Sequence, residues 1–363
     1  MKLAWKELKF GKKKYLMVEM ILVLMIFMVL FLSGLANGLG RAVSSGIDNM
    51  NSDYYIISED SEDLITVSSL SEEVLEAVKT QTTNQVTTLD IQRSYLKMMD
   101  SVDKKDVTYF AISSQGFLVP EIDAGSLFSE DKNTYQIVLD DSYQTKGIQI
   151  GDRVTDAATD IKMEVVGFTK DASYSHTGVG YISTSTYEAI CKNMHSPYET
   201  QYHAFAMQGT DISNISLSGI KIENKKTIIS NLPGYAAEQL TINMILWVLV
   251  VISSVILGVF FYVITIQKQR QFGVLKAIGM EMKNISKMIV IQVFLLASFG
   301  TVIGNVLAFG IASILPSSMP FYLEGKSAFI VSGTFILISI LCSLISTRKI
   351  AKVDAIVTIG GNE

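Results

Sequence analysis

The residues that could do chemistry are few in this chain of 363 residues. It contains no GxSxG nucleophile elbow, no HExxH zinc motif and no GxxxxGK[ST] loop to cradle nucleotide phosphates. His176, His195 and His203 lack any metal-ligand spacing, and the only cysteines, Cys191 and Cys342, are far apart in sequence. We therefore expect no catalytic site, no resident metal and no intrinsic cofactor, and any nucleotide hydrolysis must come from another protein.

Two groups of side chains beside apolar segments remain as candidates for binding. Glu238 stands two residues before a long apolar run, where a carboxylate is costly unless it is solvated or engaged. Methionines repeat along a second apolar run, where thioethers serve either as packing residues or as soft ligands. These methionines are Met17, Met20, Met25 and Met28. Met28 lies about 20 Å along a helix from Tyr15, which is the depth nearest to Glu238.

Four apolar runs must position these side chains. Hydrophobic residues make up 49% of the chain and charged residues only 18%, which argues against an ordinary soluble enzyme. Each run reaches the roughly 18 to 20 residues that cross about 30 Å of hydrocarbon. The predicted transmembrane helices are residues 15–40, 240–267, 285–315 and 328–347. A cleaved signal peptide is the alternative for the first, but its apolar stretch is longer than such segments usually have.

Lysine and arginine set the predicted orientation. They concentrate in residues 1–14, 268–284 and 348–363, so these segments and both termini are expected in the cytoplasm. Residues 41–239 and the short loop 316–327 then lie outside the cell membrane. Residues 41 to 240 hold 15 Lys+Arg and 29 Asp+Glu, a net charge of −14. A segment this acidic is not expected to bind nucleic acid or anionic lipid through electrostatic attraction.

The outer segment predicts an α+β domain. Short β-rich runs bounded by turns predict strands, and runs with a Ser or Thr start predict helices. The predicted strands are 54–58, 135–139, 163–168 and 203–207, and the predicted helices are 71–80 and 184–193. The expected fold class is an integral membrane α-helical protein with four transmembrane helices and an α+β extracytoplasmic domain inserted between helices 1 and 2.

A third feature is the cytoplasmic loop between helices 2 and 3. Phe272, Leu275 and Ile278 recur at helical spacing, Lys276 lies on another face, and Gly279 is placed to end the helix. Such a segment is either an amphipathic helix in the lipid headgroups or a short helix presented to a partner protein.

The stretch from Gln271 to Gly279 (QFGVLKAIG), directly after a transmembrane helix, resembles the signature of FtsX-like and MacB-like ABC transporter permeases. The four-helix layout with a large domain after helix 1 matches these permeases over the whole chain. More narrowly, four segments look like the HrtB-like haem exporter permeases of Gram-positive bacteria. They are Met1–Glu7, Phe31–Leu39, Phe260–Lys268 and Met319–Leu323.

This resemblance implies a homodimeric permease in the bilayer that works with two copies of a separate ABC ATPase, which holds the ATP-Mg. It implies a coupling-helix role for the loop, through Phe272, Leu275, Lys276, Ile278 and Gly279. Within the narrower group, haem is the transported ligand, and the residues that coordinate its iron fall on Met28 and Glu238.

Small residues also allow close helix approach at Gly34-x3-Gly38 and Gly300-x3-Gly304, which makes these motifs candidates for dimer contacts.

Two other functions stay open at this point. A MacB-like permease can move an antimicrobial peptide, a lipid or a lipoprotein instead of haem. An FtsX-like member can use the ATPase only to move its external domain and activate a cell-wall hydrolase, without transport.

Overall fold

The computed structural model describes residues 12–98, 103–131, 134–194, 197, 199–316 and 319–351. Most of the predicted segment 1–14, His195 and residues 352–363 of the predicted tail lie outside this description. The chain divides into two compact units. Leu39–Gln239 with Pro316–Pro320 form one, here called the lobe, and the described residues of 1–38, 240–315 and 321–363 form the helical unit.

The helices of the described residues are long where the sequence is apolar and short within the lobe. They are α1 (Lys12–Asp48), α2 (Glu72–Gln81), α3 (Ser142–Thr145), α4 (Thr184–Met194), α5 (Lys225–Asn231), α6 (Tyr235–Gln267), α7 (Gln269–Ala277), α8 (Met282–Ala312) and α9 (Gly325–Ala351). Four of them, α1, α6, α8 and α9, are long and apolar enough to cross a membrane. The predicted segments 15–40, 240–267 and 328–347 lie within these helices, whereas the predicted segment 285–315 runs three residues past the end of α8 at Ala312.

Two glycines of α8 allow α1 to pack directly against it in the helical unit. A Cβ atom at Gly304 would lie 2.8 Å from Ile26 Cγ2, and one at Gly300 would lie 3.2 Å from Leu22 Cβ. Leu22 and Ile26 are fully buried. The motif Gly300-x3-Gly304, a candidate dimer contact from sequence, is therefore occupied by a helix of the same chain.

The lobe is built on one 11-stranded sheet with the order β11-β1-β10-β2-β3-β9-β5-β7-β4, in which β6 pairs with β2 and β7, and β8 pairs with β9. The strands are β1 (Tyr54–Ser58), β2 (Gln85–Met98), β3 (Lys104–Ile112), β4 (Ile122–Gly125), β5 (Gln136–Asp140), β6 (Arg153–Asp156), β7 (Lys162–Thr169), β8 (Ser173–Tyr174), β9 (Thr177–Ser183), β10 (Ala204–Gln208) and β11 (Ile220–Asn224). The α+β lobe between the first two long helices confirms the predicted fold class.

Alternation along β3 divides the buried side chains between two hydrophobic cores. Phe110 joins one core and Tyr109 the other, as the period of two along a strand requires. Val43 and Ile47 of α1 enter the first of these cores. This packing explains why α1 continues as a helix to Asp48, beyond the predicted end at residue 40.

Candidate functional site

Glu238 lies in the first turn of α6, in the part of that helix that belongs to the lobe. The chain turns into the helix at Gly234, whose φ of 84° is a left-handed conformation that favours glycine. The Glu238 N–H then donates to the Gly234 carbonyl at 2.9 Å. Because the N-terminal end of a helix carries partial positive charge, this position favours an anionic side chain.

The two-residue turn between β8 and β9, here called the β8–β9 turn, places a histidine against this carboxylate. His176 Nε2 lies 3.0 Å from Glu238 Oε1. Ser175 and His176 have φ angles of 47° and 63°, the combination of a type I′ hairpin turn, which Asn-Gly usually supplies. Left-handed backbone costs an ordinary residue about 1 to 2 kcal/mol, so the contacts around the turn must stabilise it.

Helix α1 supplies these contacts from its last turns. The two N–H groups of the β8–β9 turn donate to the carbonyls of Ala42 and Val43, each at 2.9 Å. One helical turn further along α1, Ser45 Oγ accepts from the Ser173 N–H at 2.9 Å. The last turns of α1 and the first turn of α6 are therefore both bonded to a single hairpin of the lobe.

Met28 belongs to the helical unit, whereas Glu238 belongs to the lobe. The Met28 side chain is 45% exposed, on the same uncovered face of α1 as Met17 and Met20. Met25 is half-buried and packs against the core of the helical unit. Three of the four candidate thioethers therefore lie on the exposed face of α1. A joint role of Met28 with Glu238 stays a prediction.

The short helix α7 divides the predicted coupling residues between two faces. Phe272 is 3% exposed and packs in the core of the helical unit, and half-buried Leu275 packs against the same core. Ile278, by contrast, is 73% exposed, and Lys276 is also exposed. Gly279 ends the helix with a φ of 95°, as its predicted position requires. Phe272 therefore packs α7 against its own chain, and its coupling role stays a prediction.

A buried lysine fixes the start of α7. Lys268 is 8% exposed, and its Nζ donates to Gln292 Oε1 of α8 at 3.2 Å. The same ammonium lies 5.2 Å from the centre of the Tyr15 ring of α1, within range of a cation–π contact. Through this side chain, α7 is joined to two of the long helices.

His203, whose role the sequence leaves open, is held by the buried Asp90. Asp90 Oδ1 accepts from the His203 backbone N–H at 2.8 Å and lies 3.0 Å from its Nδ1. His176 is the histidine that sequence reasoning missed as a site residue. Its only signal is the pair Ser-His between two β-rich segments, a pair that seldom forms a type I′ turn.

Comparisons with known proteins agree with this architecture. The FtsX-like permease C-terminal family model matches residues 243–355, and the MacB-like periplasmic core domain model matches residues 20–216. Relatives from Staphylococcus haemolyticus and Staphylococcus epidermidis, each named as a hemin transport system permease protein HrtB, are 30% identical over 367 residues, covering 100% of this chain and of theirs.

Two more distant matches are a permease and an extracellular domain. An uncharacterized ABC transporter permease of Mycobacterium bovis is 22% identical over 99% of both chains. The extracellular domain of the noncanonic ABC-type transporter YknZ from Gram-positive bacteria covers 48% of this chain and 99% of its own, at 15% identity and a TM-score of 0.34.

Four membrane-spanning helices, with a large extracellular lobe between the first two, define a multi-pass permease of the ABC transporter class. Within that class, the chain belongs to the family of FtsX-like and MacB-like ABC transporter permeases.

Proposed function

We propose that this chain is the permease subunit of an ABC exporter that removes haem from the membrane or cytoplasm. The observation that carries the proposal is the similarity, over the full length of both chains, to staphylococcal relatives named as hemin transport permeases. Haem is a flat and largely apolar ring with two carboxylates, so it partitions into bilayers. A transporter with apolar helix faces and a few iron ligands suits such a cargo.

Met28 and Glu238 are the proposed axial ligands of the haem iron. Iron accepts a thioether and, less commonly, a carboxylate. The exposed thioether of Met28 and the carboxylate at the start of α6 support this assignment. Glu238 Oε1 is bonded to His176, so iron binding through that oxygen would compete with this hydrogen bond. Two weak ligands favour release, which an exporter requires.

The motor is proposed to be a separate ABC ATPase in two copies, bound to a homodimer of this chain. Exposed Ile278 and Lys276 on α7, with Leu275 at the edge of that face, would enter a groove of the ATPase. Burial of Phe272 and Lys268 in the helical unit would pass the motion of α7 to α1 and α8. In this proposal both termini lie in the cytoplasm, as the Lys/Arg distribution favours.

The test is ATP-dependent haem transfer from vesicles that hold the permease and its ATPase to a haem acceptor on the lobe side. We expect Met28→Ala and Glu238→Ala each to change the visible spectrum of bound haem and to weaken binding about tenfold or more. Met20→Ala is the matched control, because Met20 is also an exposed thioether on α1. It should leave both spectrum and transfer unchanged.

The same vesicles separate the other functions. Transfer of a peptide or lipid without haem transfer would replace the proposed substrate. ATP hydrolysis that moves the lobe with no transported substrate would indicate a mechanical signal relay. A Met28→Ala, Glu238→Ala double variant with the parental spectrum and full transfer would refute the two ligands while leaving haem export in place.

A further inference from the structure

A pocket of about 350 Å³ opens in the lobe beside the β8–β9 turn. Its charged and titratable lining residues are Arg93, Lys104, Lys105, Asp106, Lys146 and His176. Residues 41 to 240 carry 15 basic and 29 acidic residues, so cations are the minority there. Four of them nevertheless converge on one pocket that contains a single carboxylate, which makes it a local centre of positive potential.

Ion pairing does not account for this cluster. Arg93 Nη2 lies 3.2 Å from Asp106 Oδ1, so the one carboxylate is already engaged. Among the ion pairs of the residues that the structure describes, none includes Lys104, Lys105 or Lys146. Three ammonium groups thus share the pocket without a carboxylate within ion-pair distance in the described chain, although Asp106 and Asp140 attract Lys146 from further away.

Lys146 shows the electrostatic cost of the arrangement. Its Nζ lies 4.3 Å from the centre of the Tyr143 ring, and buried Tyr143 is fixed because its hydroxyl donates to the Gly178 carbonyl at 3.1 Å. Partial burial, and then the charge of Lys105, lower the pKa of Lys146 below its ordinary value. Asp140 and then Asp106 oppose this shift from a distance, but Asp140 accepts from two backbone N–H groups, Asp106 pairs with Arg93, and neither forms an ion pair with the lysine.

The edge of the pocket is the strained β8–β9 turn, where His176 is bonded to Glu238. Strained backbone that is held by surrounding contacts is common at binding sites. The pocket therefore combines a cationic interior with a histidine and a carboxylate at its rim, two groups that can bind iron. A ligand that matches both parts carries anionic groups on one side and a metal centre on the other.

We propose that this pocket is a second haem-binding site, which haem reaches after the membrane segments. The pocket binds the two carboxylates of haem, and the iron lies next to His176 and Glu238. The proposal rests on the proposed function and adds a site to it. Lys105 and Lys146 donate charge-assisted hydrogen bonds to the carboxylates, and this contact relieves the repulsion between the lysines. Haem enters the bilayer through its apolar ring, and the lobe then binds it through its carboxylates.

The test measures haem affinity of the full-length permease in nanodiscs of phosphatidylcholine. Lys105→Met with Lys146→Met removes two charges and keeps most of the length of both side chains. The matched control is Lys162→Met with Lys226→Met, two exposed lobe lysines outside the pocket with the same change in net charge. We expect the pocket variant to bind haem about tenfold more weakly and the control to stay within about twofold.

Iron protoporphyrin dimethyl ester, which has the same iron and ring but no carboxylates, is the second probe. Wild type and pocket variant should bind the ester equally, and rising salt should weaken haem binding more in the wild type than in the variant. Equal affinities of the pocket variant and the control variant for haem would overturn the proposal. So would an equal loss of affinity for haem and ester, because the lysines would then act through the fold.

Two further outcomes identify what has failed. If the wild type neither binds nor transfers haem, the proposed function and this inference both fall. If the wild type transfers haem and the pocket variant loses only its association with nanodiscs that contain phosphatidylglycerol, the pocket binds a lipid headgroup and the inference alone falls.

Discussion

The contact between α1 and α8 gives the sharpest prediction for the helical unit. In Gly304→Ala the new methyl group would lie 2.8 Å from Ile26 Cγ2 and 3.1 Å from Ile26 Cβ. Carbon atoms pack at about 3.5 to 4.0 Å, so either the helices must separate by roughly 1 Å or Ile26 must leave its rotamer. Overpacking of this kind costs about 1 to 3 kcal/mol, against up to about 1 kcal/mol gained from the helix propensity of alanine.

Gly310 on the same helix is the matched control, because a Cβ atom there would meet nothing within 4 Å. Gly310→Ala should be neutral or stabilising by up to about 1 kcal/mol. We therefore expect the two variants to differ by about 2 kcal/mol in the free energy of unfolding. In the double variant, Ile26→Ala should make room for the methyl group and recover part of the loss that Gly304→Ala causes, which a double-mutant cycle would detect.

The assay is thermal or denaturant unfolding of the purified permease in nanodiscs, at two protein concentrations. A contact within the chain predicts a destabilisation that does not depend on concentration. If Gly304→Ala were as stable as Gly310→Ala, the packing of α1 against α8 would be refuted. If its stability changed with protein concentration, the glycine motif would be a contact between copies, as the sequence alone allowed.

Three further predictions concern the partner, the topology and the lobe. Ile278→Asp should abolish co-purification with the ATPase, whereas Phe272→Ala should instead lower the stability of the helical unit by about 3 kcal/mol; undiminished co-purification of Ile278→Asp would count against the coupling role. A cysteine at Ser71 should react with an impermeant reagent on intact cells and one at Lys283 should not, and the reverse labelling would invert the topology. Lys146→Met should stabilise the lobe at neutral pH, because the lowered pKa of Lys146 means that its charged form opposes folding. This gain should shrink as the pH rises through that pKa towards 10.5, which unfolding at several pH values would check.

The sequence predicts the long helices well because each is an uninterrupted apolar run. The ends of these helices are harder to predict. Helix α1 continues to Asp48 because Val43 and Ile47 pack in the core of the lobe. Strand β2 escapes prediction for a related reason. Its residues Gln85–Met98 are mostly polar, and they form a strand because β3 and β10 pair with it on either side.

The candidate site is also only partly predictable from the sequence. Glu238 can be found from sequence, because a carboxylate beside an apolar run is rare enough to notice. His176 cannot, since 62 residues separate it from Glu238 and its place depends on a turn whose residues are unusual for that geometry. The cationic pocket is hidden as well, because an excess of acidic residues in the same segment masks its lysines in any count of charge.

The β8–β9 turn connects these features physically. Its N–H groups are bonded to the α1 carbonyls of Ala42 and Val43, and its histidine is bonded to the first turn of α6. Backbone hydrogen bonds to a helix are directional, whereas an exposed histidine–carboxylate contact contributes less than about 1 kcal/mol. We therefore expect the bond to Glu238 to break before the backbone bonds if α1 and α6 separate, which would free the carboxylate and the imidazole that border the cationic pocket.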